Sequence, residues 1–123
     1  MKTPTVYIPH VTMRRMPDAT LAPVHDLSAC EEYGSLSVVF DRPLAMNGDA
    51  REAMIHAFEA MREFNDDDSI VATGDPAAIA VAAMVAGIIN KGRIALLRWD
   101  RWSKTYQRIV LDAPNERKSN GNR

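Results

Sequence analysis

An α/β fold is the class that the sequence predicts. We expect one small domain of two or three layers, with a mostly parallel sheet of four or five strands, an antiparallel C-terminal edge hairpin and two main helices. A strand, a capped apolar helix and another strand follow one another without a break between Ser69 and Asp100. A strand and an amphipathic helix precede them from Leu36, which makes two crossover units, and such units are right-handed and join parallel strands. A short turn over Asp100 to Lys104 then leads into a last, antiparallel strand from Thr105 to Leu111.

The N-terminal part predicts a strand followed by a loop. Val6, Ile8 and Val11 favour a strand from Thr5 to Val11. Pro9 confines that strand to a sheet edge or ends it early, because proline lacks the N–H that a central strand donates. The segment from Met13 to Pro23 has no apolar period and is interpreted as a loop.

Two capping-box patterns mark the next helical segments. Ser28 to Glu31 has the spacing of a capping box and predicts one short helical turn, which Gly34 ends. A second strand, Leu36 to Phe40, follows it. Asp49 to Glu52 repeats the capping-box spacing and predicts the first main helix, whose apolar stripe consists of Met54, Phe58, Met61 and Phe64.

The second main helix has the strongest local signals in the chain. Asp75 can accept hydrogen bonds from the free amides of the first turn, and Pro76 fits the first helical position. The segment from Asn90 to Gly92 predicts a left-handed stop. Between these signals, Ala77 to Ile89 contains no charged or hydroxyl side chain, so we expect this helix to be buried on more than one side. It is shorter than the roughly 20 residues that cross a bilayer, so no membrane partner is predicted.

The strands differ in how apolar they are. Ile70 to Ala72 and Ile94 to Leu97 are continuous apolar runs, which is typical of central strands covered on both faces. The last strand alternates and suits a half-exposed edge, with one face carrying Tyr106, Arg108 and Val110 and the other Gln107, Ile109 and Leu111.

Composition predicts a single α/β domain over residues 1–113 and a disordered polar tail over 114–123. The chain has 123 residues, of which 46% are hydrophobic and 25% charged. Cys30 has no second cysteine to pair with, and no apolar signal region follows Met1, so a reducing, cytoplasmic setting is expected.

The charge is unevenly distributed although the net charge is only -1. Residues 1–90 hold 6 Lys or Arg and 13 Asp or Glu, whereas residues 91–123 hold 9 and 3. This asymmetry can orient an encounter with an acidic partner or nucleic acid. It can equally reflect strand edges and a tail that stay in solvent.

A basic and aromatic cluster on the closing hairpin is the candidate partner-binding site. Planar cations and aromatic rings together can stack on bases or form an interface hot spot. Alternatively, Trp99 packs into the core and Trp102 covers the sheet edge. Arg98 and Arg108 can cluster only if the register sets them opposite each other. The residues of the candidate site are Arg98, Trp99, Arg101, Trp102, Lys104 and Arg108.

The turn at Thr73 and Gly74 is a candidate nucleotide or anion site, because open α/β sheets bind such ligands where a strand leads into a helix N-terminus. The signal is weak, since a glycine-rich loop is missing and Asp75 would repel phosphate. The alternative is a simple capped turn.

We predict no catalytic residues, no metal site and no cofactor, and therefore no enzyme. His10, His25 and His56 lack metal-ligand spacing, and Cys30 forms no defined nucleophile and base with His25. The acidic run Asp66 to Asp68 could hold a cation only if another carboxylate folded beside it, and consecutive acids in a loop are usually solvated.

The apolar helix offers a surface for self-association. A sheet face and the first main helix need not cover it on all sides in so small a domain. Its small-residue surface, Ala80, Ala83 and Gly87, can then pack against a second copy and form a homo-oligomer. Burial within the monomer is the alternative.

Three segments resemble a group of small proteins encoded by tailed bacteriophages and prophages. They are the acidic turn and helix start from Asn65 to Pro76, the alanine-rich helix, and the strand from Gly92 to Asp100. The resemblance covers Val24 to Leu111. We know no activity, cofactor or catalytic residue for that group, so the resemblance implies only a virus-derived protein that acts in the cytoplasm of a bacterial host.

Our leading hypothesis is a small phage accessory protein that binds a host protein or nucleic acid through the basic and aromatic hairpin. A nucleotide-binding or nucleotide-sequestering protein that uses Thr73 and Gly74 is the second hypothesis. The third is a self-assembling structural or virion-associated protein built on the apolar helix.

Overall fold

The computed structural model describes residues 3–23, 26–41, 44 and 50–114. The His25 and Asp49 predictions and the predicted tail over 115–123 lie outside these residues. In chain order the elements are β1 (Thr5–His10), β2 (Met13–Arg15), β3 (Leu21–Pro23), a 3-10 helix (Ser28–Tyr33), β4 (Ser35–Phe40), α1 (Arg51–Met61), β5 (Ser69–Val71), α2 (Pro76–Ile89), β6 (Arg93–Asp100) and β7 (Thr105–Asp112).

The predicted α/β class is confirmed by a five-stranded sheet with the order β4-β1-β5-β6-β7. The first four of these strands are parallel and β7 is antiparallel to β6. The chain moves from β1 to β4 and then returns past β1 to β5, so the direction of winding reverses between β1 and β5. Helices α1 and α2 pack on one face of the sheet, and the 3-10 helix packs on the other.

The prediction that Pro9 confines β1 to a sheet edge is wrong. β1 lies between β4 and β5, and Pro9 is buried. The ladder from β1 to the three-residue strand β5 contains only Val6 and Tyr7. Pro9 therefore lies beyond the end of that ladder. No β5 carbonyl needs an N–H from this position, so a proline is tolerated there.

The prediction of a loop from Met13 to Pro23 is also wrong, because this segment contains the antiparallel pair β2 and β3. The turn between them is held by Asp18 Oδ1, which accepts bonds from the backbone N–H and the hydroxyl of Thr20 at 3.0 and 2.6 Å. Both strands have three residues and are largely exposed. Strands so short and so little buried have no apolar alternation that a sequence could reveal.

The capping box predicted from Ser28 to Glu31 does not form, although both predicted helical segments do. The N-cap of the 3-10 helix is Leu27, without a side-chain bond, and Asp26 Oδ1 accepts from the N–H of Ser28 at 2.9 Å instead. Helix α1 begins after Ala50, also without a side-chain cap.

Both predicted ends of α2 are confirmed. Asp75 Oδ1 accepts a bond from the N–H of Ala77 at 3.0 Å. At the other end Lys91 and Gly92 have φ angles of 57° and 86°, so the chain leaves the helix through a left-handed turn. No helix in the described ranges is both long and apolar enough to cross a membrane.

Helix α2 is buried against the sheet and α1 but keeps one apolar row in solvent. Its buried side chains are Ala78, Val81, Ala82, Val85 and Ala86. Met84 and Ile88, which are one helical turn apart, are 60% and 56% exposed. The expectation that this apolar helix is buried on more than one side is therefore confirmed, and one apolar row remains exposed.

A turn from Asn65 to Ser69 joins the amino ends of β1 and β5 to the middle of β7. The Asp68 side chain is 2% exposed. Its Oδ1 accepts from the N–H of Thr5 at 2.8 Å, and its Oδ2 accepts from the N–H of Asn65 at 3.0 Å. Arg108, on β7, donates from Nε to Ser69 Oγ at 3.2 Å and from Nη2 to the carbonyl of Asp66 at 2.8 Å. One carboxylate and one guanidinium thus connect β1, β5 and β7.

We expect Asp68→Ala to lower the free energy of unfolding by about 3 kcal/mol, because it leaves two backbone N–H groups without their carboxylate acceptor. Asp67→Ala is the matched control, since Asp67 is an exposed neighbour, and it should change stability by less than about 0.5 kcal/mol. Urea unfolding followed by circular dichroism measures both. Equal stability of the two variants would contradict the role of Asp68.

Candidate functional site

The tip of the β6–β7 hairpin is an ordered turn built around Asp100. Asp100 Oδ1 accepts from the N–H of Trp102 at 3.1 Å, and its Oδ2 accepts from the Ser103 hydroxyl at 2.9 Å. The carbonyl of Asp100 accepts from the N–H of Lys104 at 2.7 Å. Gln107 on β7 donates to the same carboxylate at 3.2 Å. Aspartate at the first position of a turn bonds backbone groups two residues on, and this fixes the tip.

The tip presents a tryptophan to solvent. Trp102 is 91% exposed, so it does not cover the sheet edge. Trp99 is 48% exposed and packs edge-on against Tyr106, with ring centroids 5.1 Å apart, so it is not a core residue either. Two indole rings thus remain accessible at one end of the hairpin, one held by an edge-on contact with Tyr106 and one on the ordered turn.

Three of the predicted cations share this end of the hairpin. Arg98 donates from Nη2 to Gln107 Oε1 at 3.3 Å and is exposed. Arg101 and Lys104 belong to the tip itself and are exposed. The structure therefore brings together five of the six predicted partner-binding residues.

Arg108 is placed elsewhere. The register sets Arg98 opposite Gln107 and Arg108 opposite Leu97, so the two arginines lie on opposite faces of the sheet and do not cluster. Arg108 reaches across β6 to Ser69 on β5. In this position Arg108 binds the acidic turn.

The predicted anion-binding turn lies at the carboxyl ends of β1 and β5, where the winding reverses and open α/β sheets bind ligands. Gly74 has a φ of 96°, and a Cβ built on it would lie 2.1 Å from the carbonyl oxygen of His10. The N–H of Asp75 donates to His10 Nδ1 at 3.4 Å, and the Asp75 carboxylate binds the first turn of α2. Thr73 is half-buried beside this contact. The turn is packed directly on β1.

The remaining candidate side chains are engaged within the fold. His56 Nε2 lies 2.6 Å from the carbonyl oxygen of Val39. Cys30 is buried, and burial raises the pKa of its thiol, which keeps it protonated and weakly nucleophilic at neutral pH. Burial likewise raises the pKa of Tyr106 to about 12.

Asp66 in the 65–69 turn is also engaged within the fold. Asp66 pairs with Arg93 at 3.4 Å and accepts from Asn90 at 2.9 Å. In the part of the chain that the structure describes, no group of three or more His, Cys, Asp or Glu side chains could hold a metal ion.

Asp100 is the site residue that sequence reasoning missed. We interpreted it only as the start of a turn, whereas its carboxylate organises the whole tip. An aspartate followed three positions later by serine, in the turn between two strands, is a signal of this role, because both side chains commonly bond to turn backbone.

The Asp100 carboxylate should make the order of the tip dependent on pH. Hydrogen bonds from Ser103 and from the N–H of Trp102 lower the Asp100 pKa below its usual 3.8. A lowered pKa means that the ionised form is favoured in the folded tip. The ordering is therefore complete above the usual pKa of 3.8 and is lost as the pH falls through the lower pKa of the folded tip. The heteronuclear NOE of the Trp102 amide should therefore drop at acidic pH. The Leu97 amide in β6 reports global unfolding, and Asp100→Asn should remove the pH dependence; a pH-independent wild-type tip would contradict this role.

Gly74→Ala and Gly87→Ala should have opposite effects on stability. Alanine at position 74 is strained at a φ of 96° and collides with the His10 carbonyl, so we expect a loss of about 3 kcal/mol. A Cβ at Gly87 meets nothing within 4 Å in the interior of α2, so that change should stabilise the protein by about 0.5–1 kcal/mol. Thermal unfolding of both variants tests this, and a tolerated alanine at position 74 would contradict the close packing.

A comparison with known protein families finds a match. The family described as "Phage Pam3 gp32-like protein" matches residues 4–113 of the chain. This confirms the resemblance to small phage proteins and extends it, because the match includes the segment before Val24. No curated protein and no solved structure matches the chain.

Proposed function

Since the chain belongs to the Phage Pam3 gp32-like protein family, we propose that this phage protein is a small accessory protein that works by binding. Its partner is a host protein or a nucleic acid, its contact surface is the tip of the β6–β7 hairpin, and it acts in the cytoplasm of the bacterial host. It performs no catalysis. The buried thiol of Cys30 and the His56 ring bound to Val39 support this last point, because neither is available as a nucleophile or base.

One observation carries the proposal: Trp102 is 91% exposed on a turn that Asp100 holds in place. Tryptophan is the side chain that most often dominates the binding energy of an interface. A flexible loop would lose entropy when its tryptophan bound, whereas an ordered tip has already lost it during folding. The tip can therefore bind a partner with little further loss of conformational entropy.

The charge around Trp102 indicates the chemistry of the partner. Arg98, Arg101 and Lys104 are exposed at the same end of the hairpin, and the Asp100 carboxylate is already bonded to the turn. Such a surface attracts acidic groups and leaves an aromatic ring to contact them at short range. Phosphates with stacked bases fit it, and so does an acidic protein surface with an apolar pocket.

The test compares two triple variants. Arg98→Ala, Arg101→Ala and Trp102→Ala together remove the tip surface, whereas Met13→Ala, Arg14→Ala and Arg15→Ala remove a similar set of two arginines and one exposed apolar side chain from β2. Binding is measured by titration with a single-stranded oligonucleotide and by capture of proteins from a nuclease-treated host lysate.

The tip variant should lose binding by at least about tenfold in whichever assay detects the partner, because hot-spot truncation removes 1.4 kcal/mol or more. The β2 variant should bind like the wild type, and both should keep the native circular dichroism spectrum. A folded tip variant that still binds, or equal losses in the two variants, would refute the proposal.

A further inference from the structure

The hairpin tip holds a lysine in a backbone conformation that lysine rarely adopts. Lys104 has a φ of 57°, in the left-handed region, and its N–H closes the turn by donating to the carbonyl of Asp100 at 2.7 Å. Glycine adopts this conformation freely, whereas a residue with a Cβ is destabilised in it. The geometry of the turn therefore favours glycine at position 104 and gives no structural reason for a lysine.

Lys91 provides a comparison, because it has the same φ of 57°. It follows the last turn of α2, where a cation is stabilised by the negative end of the helix dipole. Lys104 follows no helix, and in the part of the chain that the structure describes its exposed ammonium group has no bonded partner. The unfavourable turn thus carries a positive charge that the fold does not use and that is available to a ligand.

The surface around Trp102 is small and almost wholly polar. Every residue from Arg101 to Thr105 is exposed, and Trp102 is the only apolar one among them. The tip runs only from Arg98 to Thr105, whereas a standard protein interface takes about 20–30 residues from each side. Such an interface also has an apolar centre, from which lysine is depleted and water is excluded. The tip has neither the size nor the composition of that kind of surface.

A nucleic acid strand fits the same features. A base stacks on an aromatic ring without needing an apolar surround, and exposed cations bind the phosphates next to it. Arg101 and Lys104 lie on either side of Trp102 along the chain. Arg98 bonds to Gln107 through Nη2, and its guanidinium has further N–H groups to donate. Because the bases of a duplex are already stacked on one another, an exposed indole meets free base faces only on a single strand.

We propose that the ligand of the hairpin tip is a single-stranded nucleic acid, of which one base stacks on Trp102 while Arg101 and Lys104 contact the adjacent phosphates. The proposal rests on the proposed function, because it names the partner of the same tip. Every base has a face that can stack, so the contact depends little on sequence. The phosphate contacts release counterions, so the affinity falls as the salt concentration rises.

Fluorescence anisotropy of a labelled oligothymidylate, titrated with the full chain at several salt concentrations, tests the two kinds of contact separately. Trp102→Ala should weaken binding by at least about fivefold and leave the salt dependence unchanged, because the lost contact is uncharged. Trp102→Phe keeps a ring and should restore part of the affinity. Lys104→Gly should reduce the slope of log affinity against log salt by about 0.7, the value of one phosphate contact on a single strand.

The matched control is Lys91→Gly, which makes the same exchange at the same φ beyond the opposite end of β6 from the tip. It should bind the oligonucleotide like the wild type. Lys104→Gly should also melt a few degrees above the wild type, because glycine relieves the left-handed turn. Weaker binding by a more stable variant separates loss of the ligand contact from damage to the fold.

Two further probes test which part of the ligand is recognised. An oligonucleotide of the same length with abasic sites keeps the phosphates but should bind at least about fivefold more weakly, and Trp102→Ala should weaken it no further. The oligothymidylate annealed to oligoadenylate should bind more weakly than the single strand. Equal binding of the abasic strand or the duplex, or equal effects of Lys104→Gly and Lys91→Gly, would overturn the proposal.

Capture of proteins from a nuclease-treated host lysate separates a failure of this proposal from a failure of the proposed function. If the wild type binds no oligonucleotide but captures a host protein that the triple tip variant of Arg98, Arg101 and Trp102 does not, the ligand is a protein. The single-strand proposal is then refuted and the binding role of the tip stands. If the folded triple variant matches the wild type in both assays, both proposals are refuted.

Discussion

The Asp68 carboxylate is the interaction on which the arrangement of the sheet depends. It is buried and accepts two backbone N–H bonds, one from the start of β1 and one from the turn before β5. These strands are 63 residues apart in sequence. Arg108 adds β7 through Ser69 and the carbonyl of Asp66. Because buried charges are stable only when fully bonded, this turn defines how the amino ends of the strands meet.

The two ends of the sheet consequently use charge in different ways. At the amino end of the parallel strands, Arg93 forms ion pairs with Asp66 and Asp112. At the carboxyl end of β6, the tip carries exposed cations and an exposed tryptophan, and the carboxylate of Asp100 is bonded to the turn. The positive charge of the C-terminal part is therefore neutralised at Arg93, beside the acidic turn, and is left without ion pairs at the exposed hairpin tip in the described residues.

The β6–β7 hairpin can carry the proposed contact surface because its paired strands hold the tip at the edge of the sheet. Its eight-residue strands are paired along their full length. One end presents Trp102, and the apolar middle of β7 lies beside the uncovered row of α2. Surfaces built on paired strands hold their geometry better than surfaces on loops.

The sequence by itself determined the α/β class, the ends of α2 and most of the tip cluster. Asp75, Pro76 and the segment from Asn90 to Gly92 act on backbone groups within one turn, so their effect can be read locally. Only the tertiary structure decided that Pro9 lies in an interior strand, that Arg108 faces away from Arg98, and that Asp68 is a structural residue while its neighbour Asp67 is exposed. Each of these depends on which strands pair and in which register, and a shift of one residue moves every side chain to the opposite face. The contacts that select the register join residues far apart in the chain, so no local pattern contains them.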